Sequence, residues 1–202
     1  MELTAWISLA TLCILGAMTP GQSFIIILKH AISGGRLNGL IASLGHGLGV
    51  MLYAIATVVG LAVIIQKTPW LFDVIKYTGA AFLVWLAYNA LTAKASSARF
   101  SSEETNITLK ESFTEGLMIS FLNPKLAIFF LALFSQFVDD TAIWQQNIIM
   151  VATVTGIDTL WYCLVALVLS HSIMLEKLRT NVHIIEKLSG IVLLAVACRV
   201  VM

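Results

Sequence analysis

The chain has 202 residues, of which 59% are hydrophobic and 11% charged. Soluble domains carry about 25% charged residues, so a water-covered surface is excluded and a bilayer is the solvent that fits. A formal net charge of +1 leaves no basis for a nucleic-acid partner.

A helix needs about 20 apolar residues to cross the hydrocarbon core. Six runs qualify, at 3–28, 37–65, 70–91, 113–138, 143–170 and 184–202. They are continuous, whereas a β-barrel would show short alternating strands, so an all-α membrane protein is expected. The first run carries Glu2 ahead of it and no Lys or Arg, and no small-residue cleavage site follows, which predicts a retained span rather than a signal peptide. It is interrupted two-thirds of the way along by Thr19-Pro20-Gly21-Gln22. The second run contains His46 among Gly45, Gly47 and Gly49, and the third has Asp73 and Lys76 in its first turns. A polar stretch, 92–112, then divides the chain into 1–91 and 113–202, three spans each. The fourth run is interrupted by Asn123-Pro124-Lys125, and the fifth carries Asp158 and Tyr162. Cys13, Cys163 and Cys198 lie in apolar runs without CxxC spacing and are expected as small buried residues. Nothing in the pattern asks for a cofactor or a resident metal.

Lys and Arg near the spans set orientation. Eight flank the first, third and fifth connections and three the other side. Those three connections are therefore expected in the cytoplasm, with both termini outside the inner membrane.

The two interruptions share one grammar. Thr and Asn are favoured N-caps, Pro is favoured at the first helical position, and the residue before Pro avoids helical geometry. Each site predicts one half-helix ending and another starting. They occupy matching positions, first in each group of three spans. Three is odd, so the two halves enter the membrane in opposite directions, as in an inverted repeat whose broken helices mark a binding site. A helix start presents unpaired N–H groups and a positive dipole end, so two such starts meeting in mid-membrane suit a carboxylate. Gly21 permits close approach to the backbone, and Gln22 and Ser23 offer polar contacts.

A carboxylate at the depth of Asp158 is a functional candidate, either for holding a substrate ammonium or for exchanging a proton. Tyr162 lies on the same helix face. Three readings stand for Lys125: a carboxylate clamp, a partner of Asp158, or a side chain snorkelling to the membrane edge. His46 suits proton relay or a packed core histidine. The glycine-rich faces suit packing within one chain or between copies, so homo-oligomers are open.

TPGQ in the first span, FLNPK in the fourth and an Asp with aromatics in the fifth resemble the LysE/RhtB family of amino-acid exporters. Where the family pattern has Pro-Gly-Pro, this chain has Gln22 in place of the second Pro. The resemblance implies export of amino acids or related zwitterions from the cytoplasm by proton antiport. It carries Pro20, Gly21, Asn123, Pro124, Lys125 and Asp158 onto functional positions. A metal-ion exporter is the alternative, but only Asp158, His46 and Cys163 speak for it. An enzyme is not expected, because no nucleophile has a base near it in sequence and no cysteine adjoins a break.

Overall fold

The computed structural model describes residues 1–19, 21–92, 107–138 and 144–169, together with scattered helical positions between 184 and 198. Among the described residues, seven helices with defined bounds follow one another: α1 (Leu3–Met18), α2 (Gln22–Ser33), α3 (Arg36–Lys67), α4 (Pro69–Thr92), α5 (Leu109–Leu122), α6 (Pro124–Phe134) and α7 (Trp144–Leu169). Among the described residues there is no strand. α3, α4 and α7 are each long and apolar enough to span a membrane. The pairs α1–α2 and α5–α6 bend by 60° and 58° at their breaks, and each pair counted as one span brings the total among the described residues to five. The expected sixth span, 184–202, falls largely outside the described residues, as does most of the linker at 92–112.

Local chemistry accounts for most boundaries. Gly35, with φ +84°, makes the turn between α2 and α3 in a conformation that a side chain would strain. Thr108 and Glu111 form a capping box that starts α5. Asn123 is the N-cap of α6, its side chain accepting from the Lys125 N–H at 3.1 Å, with Pro124 at the first helical position.

The first break is built differently. Thr19 does not cap the helix after it; it ends α1, and its hydroxyl donates to the Leu15 carbonyl at 2.9 Å. α2 begins at Gln22 behind Gly21, which makes no side-chain cap. A threonine hydroxyl at a helix end can bond back to the carbonyl four residues earlier, and here that local partner wins. Pro20 itself lies outside the described residues.

α3 is the spine, packing chiefly on α5 and α7. A side chain at Gly45 would strike the Phe113 carbonyl of α5, one at Gly116 the Ala42 carbonyl of α3, and one at Gly49 the Ser120 hydroxyl. Gly47 is pressed in the same way on Thr159 of α7. The glycine faces are therefore used within the chain, letting backbones approach closely as small residues do between membrane helices. On the opposite side of α3, Leu44, Leu48, Leu52, Ile55, Val59 and Val63 form an exposed stripe at helical spacing. That stripe suits lipid tails and no aqueous surface.

Candidate functional site

The two bent spans cross along their breaks and run antiparallel. Residue numbers rise on one span as they fall on the other. Gly16 meets Phe129, the Thr19 carbonyl accepts from Lys125 Nζ at 3.0 Å, Ser23 Oγ accepts from Asn123 Nδ2 at 3.0 Å, and His30 meets Glu115 at 3.0 Å. The starts of α2 and α6 are thereby brought together, although about 100 residues separate them in sequence.

Between them lies a cavity of about 30 Å³. Thr19, Gly21, Ser23, Asn123, Lys125 and Asp158 give it polar groups, and Tyr162 closes one side. That volume is room for a water or two. Lys125 explains itself here: its ammonium sits on the carbonyl end of α1, where a cation is favoured, although it opposes the dipole of its own helix. It points inward rather than snorkelling, and its hydrogen bond goes to Thr19 rather than to Asp158. A Cβ added to Gly21 would stand 3.6 Å from that ammonium, so the backbone at the break is within reach of it.

Asp158 is buried, and its Oδ2 lies 2.9 Å from Nδ1 of His46, which is completely buried. The second ring nitrogen, Nε2, has no hydrogen-bond partner among the described residues. Tyr162 packs edge-on against His46 with centroids 4.8 Å apart, and Tyr162 and Ser23 both line the cavity. His46 thus contacts Tyr162, and Ser23 contacts Asn123, around the same cavity. His46 stands behind Asp158, away from the cavity wall. Gln22 and Pro124 are exposed and do not line the cavity. Asn89, Gln136 and Trp161 do not line it either. Cys13 is buried against the cavity, but Cys163 is half-buried and Cys198 exposed, so the expectation of three buried thiols holds for Cys13 alone.

A second polar cluster was not singled out from the sequence. It ties α2 to α5 and to the start of α3, beyond the site. His30 is fully buried; Nε2 meets Glu115 and Nδ1 meets the Ser112 hydroxyl at 3.1 Å. Asn38 donates to Ser112 at 3.0 Å, and Lys29 pairs with Glu115 at 3.0 Å. The sequence signal was Glu115, a carboxylate two residues inside the expected fourth span.

Antiparallel broken helices meeting over buried charge, in a chain whose outer faces are apolar, define a membrane protein of the translocator class. The family model for LysE type translocators matches residues 14–202, and the chain belongs to that family. Among its relatives, a Bacillus subtilis protein described as the uncharacterized membrane protein YrhP is 27% identical over 95% of this chain and 94% of its own length. The threonine efflux protein of Escherichia coli K12 is 31% identical over 81% of each chain. The leucine efflux protein of Salmonella typhimurium is 31% identical over 62% of this chain and 59% of its own. No solved structure matches.

Proposed function

We propose that this protein is a secondary exporter of amino acids or related zwitterions, working by alternating access and coupled to inward proton movement across the bacterial inner membrane. The reading rests on one observation above others: the starts of α2 and α6 are held together beside a buried carboxylate. In this scheme the substrate carboxylate takes the two helix starts and Lys125, and its ammonium takes Asp158. The relatives described as threonine and leucine efflux proteins support an amino-acid cargo.

His46 makes Asp158 a protonatable pair. With Nδ1–H donated to Asp158, Nε2 keeps a lone pair that has no partner among the described residues. A proton added to the pair neutralises the carboxylate's charge, so its hold on the ammonium weakens and the substrate leaves. Two inverted three-helix halves, 1–91 and 113–202, rock against each other, with the first, third and fifth connections cytoplasmic and both termini outside. The antiparallel crossing of the bent spans supports that symmetry. A metal-ion exporter has no such support: among the described residues no three His, Cys, Asp or Glu side chains gather to hold an ion.

The test is export from preloaded proteoliposomes under an imposed proton gradient. Asp158→Asn is expected to abolish coupled export while the protein still folds and inserts. Export at the wild-type rate by that variant would remove Asp158 from the coupling.

A further inference from the structure

The cavity has two chemically different ends, and the antiparallel crossing separates them. The polar groups cluster at the breaks. On the side of the breaks toward α1 and α6, the lining is Cys13, Ala17, Leu126, Phe129 and Phe130, with Val154 from α7. α7 runs beside α1 there, as the hydrogen bond from Trp6 to Thr153 at 3.0 Å requires. Among the described residues this end carries no charged group and no polar group beyond a thiol.

Phe129 forms the boundary of that end. It is buried, stands one helical turn beyond Lys125 on the same face, and seats the tip of its ring on Gly16. A Cβ at Gly16 would sit 2.5 Å from Cζ of the ring and 3.0 and 3.1 Å from its neighbours, so only glycine leaves the ring in place. Only about 30 Å³ is free, so a side chain entering this end presses on the ring.

We infer that Phe129 on its Gly16 seat is the side-chain subsite wall, and that it selects amino acids with small to medium uncharged aliphatic side chains. The inference rests on the proposed export function and deepens it. A substrate anchored by its carboxylate and ammonium at the breaks turns its side chain toward Phe129. A charged side chain there would be buried among apolar groups, with Lys125 and Asp158 already given to the substrate's own carboxylate and ammonium, which disfavours lysine- and glutamate-like substrates. A bulky one meets the ring. One methylene in an apolar pocket changes discrimination by roughly 10–200-fold, so trimming the wall has a measurable effect.

The experiment loads proteoliposomes separately with alanine, leucine, phenylalanine, lysine and glutamate and measures efflux. The wild-type protein is expected to release alanine or leucine at least about tenfold faster than lysine or glutamate. Phe129→Ala is expected to raise the phenylalanine-to-leucine rate ratio about tenfold or more, with Phe129→Leu intermediate and less disturbing to the fold. Gly16→Ala adds a methyl to the cavity and unseats the ring, and is expected to lower the leucine-to-alanine ratio by a similar factor. Lysine or glutamate leaving as fast as leucine, or variants that transport with the wild-type ranking, overturns this inference and leaves the export reading standing. A wild-type protein that moves none of the five also overturns this inference, and the export reading then stands or falls by its own Asp158→Asn test.

Discussion

Asn123 is the residue that joins the two half-helix starts, and removing its side chain is the most informative perturbation of the fold at the site. Its Oδ1 accepts from the Lys125 N–H and its Nδ2 donates to Ser23. Losing an N-cap costs about 1 kcal/mol, and losing a hydrogen bond between buried neutral groups costs about another 1 kcal/mol. Asn123→Ala should therefore destabilise the protein by roughly 2 kcal/mol. On the scale for chains of this length, that lowers the midpoint of thermal unfolding in detergent by about 4–8 °C. Asn123→Asp separates stability from function. The carboxylate still caps α6 and stands at a positive helix start, so about half the loss should return. It also puts a fixed negative charge where the substrate carboxylate is to sit, so export should remain at least about tenfold below wild type. An Ala variant with unchanged unfolding, or an Asp variant that exports normally, would refute the pairing of the two starts as the anion seat.

His46→Ala leaves Asp158 buried without its partner, and breaking a buried pair in this way costs about 3–5 kcal/mol; pairing it with Asp158→Asn should cost clearly less than the two single losses together, which a thermal double-mutant cycle reads directly. Gly116→Ala drives a methyl into the Ala42 carbonyl and should destabilise by about 1–3 kcal/mol, whereas Gly60→Ala and Gly156→Ala, with nothing within 4 Å, should be neutral or stabilising in the same assay. At the α2–α5 cluster, His30→Ala strips the Ser112 hydroxyl and Glu115 of a shared partner and should destabilise by about 1–3 kcal/mol in the thermal assay; Glu115→Gln, at a half-exposed position, should cost less.

The breaks were legible because proline and its neighbours carry their geometry locally. Asn123-Pro124 caps a helix wherever it stands, and the structure gives it that role. Thr19 resembles Asn123 in sequence but differs in reach: its hydroxyl bonds backward to Leu15, and Gly21 takes the cap position instead. Asp158 was legible as a buried charge, since few explanations exist for a carboxylate in mid-span. Its partner was not, because His46 lies 112 residues away and only packing of α3 on α7 brings them together. Gly47, pressed on Thr159 one residue from each of them, was the hint. The role of Lys125 was hidden for the same reason. The carbonyl it satisfies belongs to another helix, and no property of its own turn predicts it. His30 sits at the end of an apolar run beside Lys29, where a sequence offers no means of telling a buried histidine from a surface one.

The account turns on whether the paired helix starts and Asp158 grip the two charged ends of an amino acid. Equilibrium competition measures this directly: the ability of unlabelled leucine, leucine methyl ester and N-acetyl-leucine to displace labelled leucine from the purified protein. Leucine should compete at least about tenfold better than either analogue, with Asp158→Asn erasing the penalty for N-acetylation. Equal competition by all three would mean that neither charge is recognised, and the proposed seat for the zwitterion would be wrong.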